Sequence, residues 1–267
     1  MPEHPAIIAG WERDAGAYRI ERSGHTELGL AYGAHPRQIV DVFHPDKADP
    51  SRPLIVFIHG GYWRSLEPAI FSHLAAGANQ RGYSVALPGY RLCPEVRVAD
   101  IIADVRAACL FLHRRFGRRI VSSGHSAGGH LAAATVATDW QALDPSAPAD
   151  LVRHGLAISG AFELAPLIHT PVNEQLRLDE AEALAVSPAH WPVPEGIHFA
   201  AFVGALESSE FLRQSRLVAE RWGAAGATTS YDAIAGANHF TAPISLADPK
   251  SRLVSTLVGL CETVSTR

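Results

Sequence analysis

Ser126 stands at the centre of Gly124-His125-Ser126-Ala127-Gly128, a G-x-S-x-G pattern, with the β-branched run Arg119 to Ser122 ahead of it and an alanine-rich stretch behind. A serine at a sharp strand-to-helix turn presents its hydroxyl as a nucleophile, and small residues two positions away on either side keep that turn free of collision. The helix that follows adds the positive end of its dipole, which favours negative charge developing at the site. A second glycine-rich segment, His59-Gly60-Gly61-Tyr62-Trp63, closes the apolar run Pro53 to His59. Glycines there let backbone N–H groups approach an oxyanion with no Cβ in the way, so Gly60, Gly61 and Tyr62, together with the N–H of Ala127, are the candidate oxyanion hole. The adjacent His59, Trp63 and His125 are candidate substrate contacts.

A serine nucleophile at such a turn is followed in the chain by its acid and then its base. Of the histidines beyond Ser126, His239 lies in a short loop, Gly236-Ala237-Asn238-His239, after a strand-like run and before a terminal helix, and is the candidate base. His130 is one helical turn past the serine and is expected to pack. His154, His169, His190 and His198 fall in expected connections or in an insertion. Glu207 follows the apolar run Phe199 to Gly204, at the expected C-terminal end of a strand, where catalytic groups gather in open α/β sheets. It is the candidate acid, with Asp232 the alternative inside the next strand pattern; Glu210 begins a helix and reads as a dipole partner. The chain's 14 histidines would also suit a metal site. No H-E-x-x-H, H-x-x-E-H or paired C-x-x-C occurs, and Cys93, Cys109 and Cys261 lie far apart, so no metal and no cofactor is expected.

These groups need a scaffold that brings strand ends together. Apolar runs at Pro53–His59, Tyr83–Leu87, Arg119–Ser122, Leu156–Ser159 and Phe199–Val203 alternate with helical stretches. In the first of these helices Val98, Ile101, Ile102, Val105, Cys109, Leu112 and Phe116 recur at three and four, between Pro94 and Gly117. Further helices are expected over Ala127–Thr138, Glu210–Trp222 and Ser251–Glu262. The alternation predicts an α/β fold: a mainly parallel sheet with helices on both faces. Tyr18–Ile20 and Arg37–Val42 are candidate antiparallel edge strands. The proline-rich stretch 163–196, with one short helical run over Leu178–Ala185, reads as a lid-like insertion.

A length of 267 residues with 47% hydrophobic content fits a single domain over 1–267. A net charge of −4 argues against a surface that tracks nucleic acid. Three cysteines are too few for a disulfide framework, and neither an export signal nor a membrane-length apolar run occurs. A cytoplasmic enzyme with a small-molecule substrate is expected, without a membrane or nucleic-acid partner; the terminal helix is a candidate homodimer surface.

The elbow GHSAGGH, the HGGYW segment, the run Tyr90-Arg91-Leu92-Cys93-Pro94-Glu95 and the segment Gly204 to Phe211 resemble the α/β-hydrolase-fold arylformamidases, or kynurenine formamidases. The resemblance runs from about His59 to the C-terminus and is weak through the insertion. It implies a Ser-acid-His triad at Ser126, Glu207 and His239, with Glu207 standing where animal and fungal members typically have Asp. It also implies hydrolysis of an aryl formamide such as N-formylkynurenine through a formyl-enzyme. Tyr62 and Trp63 are then candidate walls of a tight acyl pocket, and Arg64, Arg91 and Arg177 candidate partners for a substrate carboxylate. A carboxylesterase of small acyl or aryl esters is the alternative within the same chemistry, and a catalytically inactive binding protein the alternative outside it.

Overall fold

The computed structural model describes residues 4–265. Among them, one sheet carries β1 (Thr26–Ala31), β2 (Ile39–Phe43), β3 (Leu54–Ile58), β4 (Val85–Pro88), β5 (Ile120–His125), β6 (Val152–Ile158), β7 (His198–Gly204) and β8 (Thr228–Ile234). The spatial order is β1-β2-β4-β3-β5-β6-β7-β8. β1 and β2 run antiparallel at one edge and the strands from β4 to β8 are parallel. Helices α1 (His4–Glu21), α2 (Ala76–Gln80), α3 (Val98–Phe116), α4 (Ala127–Val136), α5 (Trp140–Leu143), α6 (Asn173–Leu176), α7 (Glu180–Ala185), α8 (Ser209–Ala224) and α9 (Arg252–Ser265) connect or flank the strands. None of the described helices is long and apolar enough to cross a membrane.

The unbroken apolar run of β3 follows from burial on both faces. Leu54, Val56 and Ile58 join one core cluster, with α3 and α4, while Ile55 and Phe57 join the other, with α1 and α9. α3 starts where the Asp100 carboxylate accepts the Arg97 N–H at 2.9 Å. It stops at Gly117, whose φ of 68° is the left-handed conformation glycine adopts without strain. The parallel strands all point their C-terminal ends the same way, so the segments after β3, β5, β6, β7 and β8 gather along one rim of the sheet.

Two expectations are corrected. Tyr18–Ile20 is the end of α1, not a strand: Trp11, Ala15 and Tyr18, spaced by four and three, are buried against the sheet while Ile20 is 78% exposed. The first edge strand is instead Thr26–Ala31, in a stretch of mixed polarity. His154 and His198 lie on β6 and β7 rather than in connections. The stretch 163–196 contains the short helices α6 and α7 and is anchored by buried Leu176, Ala183, Val186 and Ala189.

His59, His125 and His130 are buried close to the rim, and burial holds His59 at about 3, His130 at about 4 and His125 well below its ordinary value. An unfolded chain binds protons at these positions near pH 6.5, whereas the folded one does not, so stability is full above that pH and is lost on acidification. Each histidine adds a slope of up to about 1.4 kcal/mol per pH unit below it. The urea midpoint is therefore expected to be level above pH 7 and to fall steadily from pH 6 to 4.5; a midpoint unchanged across that range would contradict the neutral burial.

Candidate active site

β5 delivers Ser126 and α4 begins at the next residue, so the chain reverses from strand to helix at the serine itself. Ser126 takes φ 58° and ψ −122°, a region that a residue with a side chain occupies only under constraint from its surroundings. The constraint is the approach of α4 to β3. A Cβ on Gly128 would stand 1.9 Å from the Ile58 carbonyl oxygen. The HGG segment presses on the same turn from the other side: a Cβ on Gly60 would lie 2.9 Å from the His125 carbonyl oxygen and 3.0 Å from Ser126 Cβ. Beyond it Gly61, Tyr62 and Trp63 all have positive φ. This turn closes with the Arg64 and Ser65 N–H groups donating to the Gly61 carbonyl. Among the described residues the N–H groups of Gly61, Tyr62 and Ala127 donate to no acceptor.

His239 Nε2 lies 3.0 Å from Ser126 Oγ, and its Nδ1 lies 2.7 Å from Glu207 Oε2. With the ring proton on Nδ1, facing the carboxylate, Nε2 is left to accept from the serine hydroxyl. The Glu207 side chain is 1% exposed and that of His239 15% exposed. The other carboxylate oxygen, Oε1, accepts from the Ser159 hydroxyl at 2.5 Å and from the Gly204 N–H at 2.7 Å. These two donors leave Oε2 for the imidazole. Asp232 is elsewhere, on β8, paired with Arg252 at 2.9 Å. Glu210, in the first turn of α8, pairs with Arg213 at 2.7 Å.

The His239 loop is held on several sides. The Asn238 side chain accepts from the N–H groups of Phe240 and Thr241, and the Phe211 ring lies 4.4 Å from the imidazole. His125, neutral through burial, donates from Nε2 to the His239 carbonyl at 2.8 Å. His130 bridges two further parts: its Nδ1 accepts from Trp63 Nε1 at 3.2 Å, and its Nε2 donates to the Val186 carbonyl at 2.7 Å. That chain ties the HGG loop, α4 and the insertion together.

Two cavities meet at Ser126 with Tyr62 between them. One, about 140 Å³, is lined by Trp63, Ala127, Ala161, Pro166, Leu167 and Phe211, together with the polar Glu163, Glu210 and Gln214. The other, about 370 Å³, is lined by Trp11, Phe71, His125, His239, Phe240 and Arg64. Trp63 and His125 thus line cavities, as do Gly60, Gly61, Tyr62 and Ala127. His59 does not line either one and is corrected to a packing residue. It is stacked between Tyr90 and Phe71, with ring centroids at 4.3 and 5.9 Å, and its Nδ1 is spent on the Gly60 carbonyl. Three contributors escape a reading of motifs: Ser159, Trp11 and Phe211. Trp11 is signalled by the spacing of Trp11, Ala15 and Tyr18, and Phe211 by its place in the Gly204 to Phe211 segment. A lone serine after a strand carries no such signal. Among the described residues, no group of three His, Cys, Asp or Glu side chains is placed to hold a metal ion.

The BD-FAE family matches residues 40–151. Kynurenine formamidase from Danio rerio is 28% identical over 253 residues, covering 92% of this chain and 85% of that protein. Kynurenine formamidase from Drosophila melanogaster is 30% identical over 232 residues, covering 82% and 76%. Among solved structures, a putative thioesterase from Silicibacter sp. TM1040 superposes with a TM-score of 0.85 at 33% identity, over 95% of this chain and 93% of that one. The strand order, the strained serine turn and these relatives define an α/β-hydrolase-fold hydrolase. Within that class, the chain belongs to the kynurenine formamidase family.

Ser159 is itself at φ 54°, fully buried at the end of β6. Ser159→Ala and Ser159→Gly both remove the hydroxyl, but only glycine relieves the left-handed backbone, by up to about 1 kcal/mol. If the hydroxyl aims Glu207, both variants should lose turnover alike, roughly 10-fold, with KM little changed. Turnover that instead follows the melting temperature, higher in the glycine variant, would make Ser159 a purely structural residue.

Proposed function

We propose that the protein is an arylformamidase that hydrolyses N-formylkynurenine or a closely related aryl formamide. Ser126 is the nucleophile, His239 the proton carrier and Glu207 the carboxylate that fixes the imidazole tautomer. The observation that carries this reading is the hydrogen-bonded chain from Glu207 through His239 to Ser126, set between two cavities in a chain of this family. His239 takes the Ser126 proton as Oγ attacks the formyl carbon. The N–H groups of Ala127 and of the Gly60-Gly61-Tyr62 turn receive the oxyanion. Collapse of the tetrahedral intermediate breaks the C–N bond, and the proton held by His239 passes to the departing aryl amine. Water, activated by the same imidazole, then releases formate and restores the serine.

The direction of substrate binding follows from proton transfer. The leaving nitrogen must come within reach of His239 Nε2, so the aryl amine occupies the larger cavity, which His239 and Phe240 line. The smaller cavity, with Ala127, is then the acyl side, and the insertion covers it through Pro166 and Leu167. A formyl group has only hydrogen to place there. A space of about 140 Å³ supports a second reading, a carboxylesterase of short acyl esters.

Comparing kcat/KM for N-formylkynurenine with that for p-nitrophenyl acetate separates the two. The formamide is expected to win by at least tenfold despite its poorer leaving group; preference for the ester would establish the second reading. Glu207→Gln is expected to lower kcat by on the order of 10³-fold, because the amide no longer balances the imidazolium. Asp232→Asn should leave kcat within about twofold, and the reverse pattern would move the acid to β8.

A further inference from the structure

The larger cavity has a charge asymmetry that points to the chemistry of the leaving group. Its volume, about 370 Å³, falls in the range of roughly 300–1,000 Å³ that holds drug-sized ligands. Trp11, Phe71 and Phe240 give it flat apolar walls suited to an aryl ring, and Arg64 stands at its edge. His125, the other basic group besides His239 among the described residues lining it, is kept neutral by burial. Arg64 is exposed, and among the described residues it has no carboxylate within salt-bridge distance. Its guanidinium instead donates to the Gln175 side-chain oxygen at 3.2 Å, from a helix of the insertion. A neutral acceptor positions the guanidinium without neutralising it.

The other two candidate arginines, Arg91 and Arg177, stand away from both cavities. Arg91 is paired with Asp104 at 2.7 Å, and that carboxylate is 3% exposed. Arg177 donates to the Pro94 carbonyl, and neither Arg91 nor Arg177 lines a cavity at Ser126. The smaller cavity has the opposite character, with Glu163 and Glu210 sharing Arg213. Hydrogen bonds from Arg213 keep Glu210 below the usual carboxylate range; at Glu163 burial pushes upward, but Arg213 and His190 together bring the carboxyl below its usual range. A substrate anion directed there would meet two carboxylates against one guanidinium, whereas on the His239 side it meets an unneutralised cation.

Resting on the formamidase reading above, we propose that Arg64, presented by Gln175, binds the carboxylate of an amino-acid side chain on the departing aryl amine. The protein thereby selects aryl formamides that carry a carboxylate over those that lack one. Arg64 acts on binding and does not touch the reacting atoms. The guanidinium offers a planar pair of donors that match a carboxylate, which an ammonium at the same place would not.

The test is a ratio. N-formylkynurenine and its carboxamide differ only in charge at the acid, and wild-type protein is expected to favour the acid in kcat/KM by roughly 10- to 100-fold, expressed in KM. Arg64→Gln should bring that preference to within about twofold of unity, Arg64→Lys should keep part of it, and 0.5 M NaCl should shrink it in the wild type. A preference that survives Arg64→Gln, or no preference in the wild type, overturns the proposal. So does an Arg64→Gln loss that falls equally on acid and amide, since that would mean a role in shape alone. The same comparison is run on 3-(4-acetoxyphenyl)propanoate and its amide. If formamides are not cleaved, the formamidase reading fails, while the ester pair still decides whether Arg64 reads a carboxylate.

Discussion

The close approach of α4 to β3 governs the rim. Helix and strand come so near at Gly128 and Ile58 that no side chain fits between them, and the strained backbone of Ser126 is the geometric result. That conformation is held by its neighbours: Ser126 N–H donates to the Ile58-facing side's opposite strand, at the Ile158 carbonyl, and its own carbonyl accepts from Gly129 and His130. Strain at a single residue costs on the order of 1–3 kcal/mol. Burial of α4 against β3, β5 and β6 offsets it, since every residue from Ala127 to Val136 is buried. The small side chains of this helix, mostly alanine and glycine, are what permit that depth.

Histidines do most of the connecting work around this turn, and they do it uncharged. His125 donates to the backbone of the His239 loop, His130 links Trp63 to the insertion, and His59 is clamped between two aromatic rings. A neutral imidazole is both donor and acceptor, so one side chain joins two partners across elements distant in sequence. Burial keeps that state through the physiological range. Three of the chain's 14 histidines thus serve at this rim as neutral links or packing groups rather than as charges.

The parallel core is legible in the sequence because strands buried on both faces are written as continuous apolar runs, and the helices between them repeat at three and four. Glu207 and His239 are legible as candidates because each follows a strand in the order that a serine turn implies. α1 is not, because its fully buried stripe is only Trp11, Ala15 and Tyr18 while other apolar residues such as Ile20 face outward, which blurs the helical period and lets its end pass for an edge strand. His154 and His198 are polar residues at the beginnings of strands, where the apolar run has not yet started. Ser159 is invisible for another reason. Its partner is 48 positions away, and only the parallel neighbouring of β6 and β7 brings the two together.

Tyr62 separates the two cavities, and the separation bears on how one serine serves an unequal substrate. A formamide is small on its acyl side and large on its amine side, so most of the available binding energy lies with the leaving group. Interactions there raise kcat only to the extent that they hold the C–N bond in line with Ser126 and His239 rather than merely retaining the substrate. Aromatic walls supply retention. A charged contact at the far end of the amine supplies direction, because it fixes the second end of a rigid ring whose first end is held at the oxyanion turn. Placing that cation on a loop residue next to Tyr62 and Trp63, and bracing it from the insertion through Gln175, couples amine recognition to the same turn that provides the oxyanion donors.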